Sequence, residues 1–230
     1  MMTGPQVDSG QPFEFLRASF LVEVTPYKAA TLGQLLTAAT LAPDTSLFYH
    51  LHQGYFRSPD RLPEYPNDFA FWAHASLGDF VVAERLANLS PTRHSEIGGV
   101  RREISVILAE HLQESGDGRR VSPESEFIFC RPCGVISHSG RRAKTPAEFV
   151  ELLGDVEIDV IFYHLFTPKL LRGAGTNDFA AWFRDRGYER LAARLGAFDP
   201  YLNSLEDNRA YMIEIISHAL GEPGGGGAHA

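Results

Sequence analysis

The sequence predicts an α+β protein built as a tandem duplication, each copy a short β-hairpin followed by about five helices. Three observations carry this. Several blocks of sequence occur twice in the same order. Each copy opens on a run rich in aromatic and β-branched residues, the composition of a strand. Beyond that run, apolar residues recur at helical spacing in both copies, separated by Gly, Pro and capping residues.

The repeat is explicit. Phe48-Tyr49-His50-Leu51 recurs as Phe162-Tyr163-His164-Leu165, and Asn67-Asp68-Phe69-Ala70-x-Trp72 as Asn177-Asp178-Phe179-Ala180-x-Trp182. Ala83-x-Arg85-Leu86 followed by Pro91 matches Ala192-x-Arg194-Leu195 followed by Pro200. Glu14-Phe15 aligns with Glu126-Phe127 upstream, and Ile107 and Leu112 with Ile215 and Leu220 downstream. The offset drifts, as loop insertions require. The largest change lies between the first two blocks, where the first copy carries SPDRLPEYP and the second a short Gly-rich link. The repeats are therefore placed at 12–112 and 126–220. Residues 113–125, QESGDGRRVSPES, form a polar linker, and 1–11 and 221–230 are flexible ends.

Phe13–Val24 and Phe127–Ser137 read as strands, and Ser139-Gly140 suggests a hairpin turn before Arg141–Lys144. The hairpins are expected to pair across the duplication, because a lone two-stranded hairpin is marginally stable. Thr145-Pro146-x-Glu148 reads as an N-cap, a Pro at the first helical position and an acid in the first turn; Leu32, Leu35 and Leu36 carry the corresponding helix. After an acidic turn at Asp44 to Ser46, the spacing of Phe48, Leu51 and Tyr55 predicts an amphipathic helix. Asn67 and Asn177 read as N-caps, with Asp68 and Asp178 placed favourably for the helix dipole. Phe69, Trp72 and Ala73 form the apolar stripe of that helix, and Gly78 and Gly187 are stops. A further helix runs to about Leu89 and Phe198. A last one carries Ile104, Ile107, Leu108 and Leu112, or Tyr211, Ile215 and Leu220.

Composition removes some classes of function. With 44% hydrophobic and 22% charged residues the chain has an ordinary globular balance. Its net charge of −8 argues against a nucleic-acid partner, since phosphate binding needs concentrated positive charge. No apolar run approaches the roughly 18–20 residues of a membrane span, so no membrane partner is expected. No targeting segment is visible, and the expected location is cytoplasmic. Two cysteines cannot form a disulfide framework. Lys28, Lys144 and Lys169 are the only lysines among 21 basic residues.

His50 and His164 are the foremost candidates, each on an apolar helix. As a pseudo-symmetric pair they would act as metal ligands or acid/base groups, with Asp68 and Asp178 beside them. His52 would add a ligand in the first copy, but its counterpart is Phe166. The plainer reading is two half-buried imidazoles bonded to Asp68, Asp178 or backbone carbonyls. Tyr49 and Tyr163 adjoin them and join the candidate binding residues. Asn67, Asp68, Asn177 and Asp178 are candidates too, but capping explains them without a ligand. Trp72 and Trp182 could stack a ligand or fill the core. Cys130-Arg-Pro-Cys133, with His138 near it, could be a redox pair or half a zinc site. Its strand context favours a structural role, with Cys130 aligned to Ala18 and Cys133 to Leu21. No P-loop, GxGxxG, GxSxG or HExxH motif is present.

The ordered blocks FYHLH…EYPNDFAxW…LGD…AERLA…SP, then FYHLF…NDFAAW…DPY, resemble an uncharacterised bacterial family known only as a domain of unknown function. The resemblance spans Phe13 to Leu220, and the CRPC segment and Gly-rich tail depart from it. It implies a bacterial cytosolic protein and no particular activity. Together the observations point to a non-catalytic accessory or regulatory module. Such a module would bind a protein or small molecule in a pseudo-twofold groove between the repeats, with no cofactor predicted. The alternative is a metal-dependent or acid/base enzyme using His50, His164, Asp68 and Asp178.

Overall fold

The computed structural model describes residues 11–57 and 64–221. Strand β1 (Phe13–Ala29) leads into helices α1 (Leu32–Leu41), α2 (Asp44–Arg57), α3 (Asp68–Trp72), α4 (Phe80–Ala87) and α5 (Ile97–Ser115). Strand β2 (Phe127–Ala143) leads into α6 (Pro146–Asp155), α7 (Ile158–Arg172), α8 (Asp178–Arg184), α9 (Glu189–Ala197) and α10 (Leu205–Gly221). The fold is α+β and mostly helical, with five described helices after each strand. Helix α3 runs on into a π-helical turn, Ala73–Leu77, which Gly78 ends in the left-handed region at φ 68.

The helix starts follow the local chemistry. Thr31 Oγ1 and Thr145 Oγ1 accept from the backbone N–H groups of Gln34 and Glu148. Asn67 and Asn177 cap α3 and α8 by accepting from the N–H groups of Ala70 and Ala180. Their amides donate onward to the carbonyls of Leu86 and Leu195, which ties each cap to the next helix. Asp44 to Ser46 is the first turn of α2 rather than a separate turn. On α10, Ile215 is buried as its spacing predicts, but Tyr211 and Leu220 are exposed.

The strands depart from expectation. Neither half makes its own hairpin: each contributes one strand of 17 residues, and the two pair antiparallel across the halves. Ser139-Gly140 makes a bulge instead of a turn. Gly140 has φ 81, Ser139 Oγ accepts from the Arg141 N–H, and the pairing shifts between Glu14 and Leu16 opposite that point. A positive-φ glycine serves a bulge as well as a tight turn, so the dipeptide alone does not choose. A matching shift lies between Val24 and Lys28, where Thr25 Oγ1 donates to the Phe129 carbonyl and accepts from the Tyr27 N–H. The register is symmetric about Phe20↔Gly134: one constant offset carries Phe13↔Ala143 onto Phe127↔Ala29 and Leu16↔His138 onto Cys130↔Val24.

That symmetry corrects the strand alignment. Phe13 corresponds to Phe127 and Phe15 to Phe129, so Glu14-Phe15 matches Ile128-Phe129 and Cys130 matches Leu16. A slip of two residues keeps every side chain on its own face, which is why the alternating pattern admits both alignments.

Each strand packs its opening aromatics into the other half. Phe13 and Phe15 lie against Phe149, Phe13 also against Trp182 and Phe179, with ring centroids 4.8–5.9 Å apart among these and each other. Phe127 and Phe129 lie against Phe69, and Phe127 also against Trp72. Between these two ends α2 and α7 meet, Phe48 on Phe162 at 5.9 Å and His52 on Phe166 at 5.1 Å.

The segment read as a linker is docked. Val121 is buried and its N–H donates to the Ala30 carbonyl, while Asp117 accepts from the Gly33 N–H at the start of α1. Of the ends read as flexible, only Gln11 and Gly221 fall within the described residues, and Gln11 accepts from the Trp182 indole. Part of the SPDRLPEYP insertion, residues 58–63, also lies outside them. No described helix is long and apolar enough to cross a membrane.

Candidate functional site

His50 and His164 each sit on a helix beside an incoming strand, 4% and 2% exposed. His164 Nε2 accepts from the Leu16 backbone N–H at 2.9 Å, and His50 Nε2 accepts from the Cys130 N–H at 2.8 Å. A backbone N–H can only donate, so Nε2 is unprotonated and the proton is on Nδ1. Nδ1 donates to Asp178 Oδ2 in one case and Asp68 Oδ2 in the other, both at 2.8 Å. Burial, the larger influence, lowers the pKa of His164 against the opposing pull of Asp178. Arg172 holds the same carboxylate, at 2.6 Å from Oδ1. On α2, Ser46 adds one more bond one turn before His50, donating to the Cys130 carbonyl. Val160 stands at that position on α7.

These bonds satisfy outward-facing backbone groups of a two-stranded ribbon, whose edges would otherwise be open to another chain. The two imidazoles are not a pair. Leu16 and Val24 are eight residues apart on β1, and Val24 faces Cys130. At about 3.3 Å per residue the imidazoles sit on the order of 25 Å apart. One shared metal ion would need both nitrogens within about 2.2 Å of it. Among the described residues no three His, Cys, Asp or Glu side chains gather as a metal-ligand group.

The other sequence candidates lie close to these two places. Tyr49 Oη accepts from the Gln53 amide at 2.6 Å. Tyr163 is buried beneath the Arg172 guanidinium, 5.8 Å from the ring centre, and burial is the chief cause of its raised pKa. The indole N–H of Trp72 donates to the Ser125 carbonyl at 2.7 Å, and that of Trp182 to the Gln11 carbonyl at 3.2 Å. Each indole thus pins the chain just ahead of a strand. Cys130 and Cys133 are three residues apart in a strand and project from opposite faces, which keeps them from sharing an ion or a disulfide. Burial, helped by the Asp68 charge, raises the Cys130 thiol pKa.

Between the halves lies a feature the sequence reading missed. Tyr55, on α2, donates through its hydroxyl to the Tyr201 carbonyl, and Lys169, one lysine on α7, donates to the Thr92 carbonyl at 2.6 Å. These are corresponding bonds: Tyr55 and Lys169 occupy one position in the two FYHL helices, as Tyr201 and Thr92 do after Pro200 and Pro91. On the Tyr55 side the space is filled. His52, Tyr55, Phe166 and Tyr201 stack within 4.9–6.5 Å of one another. On the Lys169 side, Thr92 is too small to fill it, and a pocket of about 110 Å³ is lined by Thr92, Phe166, Lys169, Thr176, Gly196 and Tyr201, among others. Thr176 Oγ1 is buried there and has no hydrogen-bond partner among the described residues. Gly196 permits it: a Cβ on residue 196 would lie 2.9 Å from that oxygen. The available clue was a lysine facing a tyrosine in otherwise matching blocks.

His52 supports the filled side. It donates from Nδ1 to the Phe48 carbonyl and accepts at Nε2 from the Tyr201 hydroxyl. Full burial lowers its pKa to about 4 from 6.5. The unfolded chain therefore binds a proton that the folded one refuses. The stabilisation is complete above pH 6.5 and is lost as the pH falls towards 4, amounting to about 3 kcal/mol. Urea titrations from pH 7 to 4 should show this slope, reduced in His52→Phe. An equal slope in the two proteins would place the pH dependence elsewhere.

A family of unknown function, DUF5752, matches residues 10–217. The chain is similar to the structure of OrfY from Thermoproteus tenax, with a TM-score of 0.80 and 27% identity over 92% of this chain and 96% of that one. No curated protein matches.

Proposed function

We propose that this chain, which belongs to the DUF5752 family of unknown function, is a non-catalytic binding module that grips a small molecule between its two halves. One observation carries the reading: the pocket beside Lys169 opens where, at the corresponding place in the other half, Tyr55 packs against the rings of His52, Phe166 and Tyr201. Tertiary packing rarely leaves such room, and a pocket with convergent polar groups at an interface of substructures is the usual place for a ligand. The duplicated architecture supports it too, because divergence of two copies is a direct way to open one of two matching spaces. The acid/base alternative draws no support from the His–Asp pairs, since each Nε2 lone pair already holds a backbone N–H.

Native mass spectrometry of the full chain, purified from its host without chelator, tests the proposal. A small molecule should be retained one per chain, and Thr92→Tyr, which supplies the missing ring, should lose it. The reading fails if wild type is bare and no metabolite fraction raises its Tm more than that of Thr92→Tyr.

A further inference from the structure

We propose that the ligand of this pocket carries a compact oxyanion, a carboxylate or phosphate group, received by the Lys169 ammonium and the Thr176 hydroxyl. The inference rests on the binding-module reading and adds the chemistry of the ligand.

Lys169 sits in the pocket wall and is only partly exposed. Its ammonium has three donors, and one is committed to the Thr92 carbonyl. Among the described residues no carboxylate lies within ion-pair distance of it. Burial lowers its pKa and outweighs the opposing charge of Asp199, which raises it. Both Asp199 oxygens are engaged, Oδ2 by the Thr92 hydroxyl and Oδ1 by the Tyr201 N–H. A half-buried cation with spare donors and no counter-ion is costly, and a bound anion removes that cost. The unpartnered Thr176 hydroxyl lines the same pocket and supplies one more donor. At roughly 30 Å³ per water-sized group, the volume of about 110 Å³ holds about four such groups, the size of a compact oxyanion itself. In the corresponding place of the other half Tyr55 stands instead of lysine, with His52, Phe166 and Tyr201 packed on its ring. The charge and the room therefore arise together at one site. With a net charge of −8 the protein as a whole repels anions, so affinity for one must be local.

The test uses the full chain with inorganic phosphate and malonate as oxyanion probes, glycerol as the neutral probe, and sodium chloride at matched ionic strength. Calorimetric titration and thermal unfolding are read for wild type, Lys169→Met, Lys169→Gln and Thr92→Tyr, each checked for fold by circular dichroism. At least one oxyanion should bind wild type saturably at one per chain and raise its Tm. Either lysine variant should weaken it at least tenfold, and Thr92→Tyr should abolish it. Absence of saturable oxyanion binding, or binding unchanged in the lysine variants, overturns the inference. If a neutral molecule binds, is blocked by Thr92→Tyr and is indifferent to Lys169→Met, the oxyanion inference falls and the binding-module reading stands. If nothing binds and no retained molecule is found, both fall. Should Thr92→Tyr not fold, the two lysine variants decide.

Discussion

A chain divided between Ser122 and Pro123 is expected not to fold in pieces. Residues 1–122 would lack Phe127 and Phe129, which fill the space between α2 and α3 and contact Phe69 and Trp72. Residues 123–230 would lack Phe13 and Phe15, which fill the matching space against Phe149 and Phe179. Deleting one buried phenylalanine costs about 3–5 kcal/mol, and two in each half approach the whole stability of about 5–15 kcal/mol. Each fragment also loses the partner of its one described strand, and a lone strand has no ladder. Circular dichroism should show little cooperative unfolding for either piece, with helical signal and a cooperative melt regained on mixing them one to one. A cooperative transition in residues 1–122 alone would show that the crossed aromatics are dispensable.

Replacing His164 by alanine is expected to cost about 3 kcal/mol. Three losses combine. The Leu16 N–H loses its acceptor, Asp178 keeps Arg172 but loses the imidazole, and a space opens among Phe13, Phe15 and Phe179. Urea denaturation at pH 7 checks it. Asp178→Asn should cost less, because the side-chain oxygen can still accept from Nδ1. A loss below about 1 kcal/mol for His164→Ala would mean that the imidazole does not hold the strand.

Much of the local structure was legible. Thr145, Asn67 and Asn177 cap the helices that their sequence contexts announce, because a cap depends on three or four consecutive residues. The stripe Phe48, Leu51 and Tyr55 is buried because helical spacing puts those residues on one face. The plainer reading of His50 and His164 matches their bonds to Asp68 and Asp178, although the partner at Nε2 is a backbone donor from a distant strand. No motif could give that partner, since any residue type supplies an N–H.

What the sequence by itself determined is the α+β class, the helix starts at Thr145, Asn67 and Asn177, and most of the residues that face inward, Tyr211 and Leu220 excepted. Those properties depend on neighbours within a turn or two of chain. Only the tertiary structure decided that the two strands form one crossed ribbon, that Gly140 bends it instead of reversing it, and that the alignment of the strands slips by two. It also decided that Lys169 faces a pocket while Tyr55 faces a filled core. The physical reason is common to all four. A bulge and a turn ask the same φ of a glycine, and a slip of two preserves the face of every side chain. Whether a space is filled depends on Thr92 and Tyr201, which come to it from elsewhere in the chain.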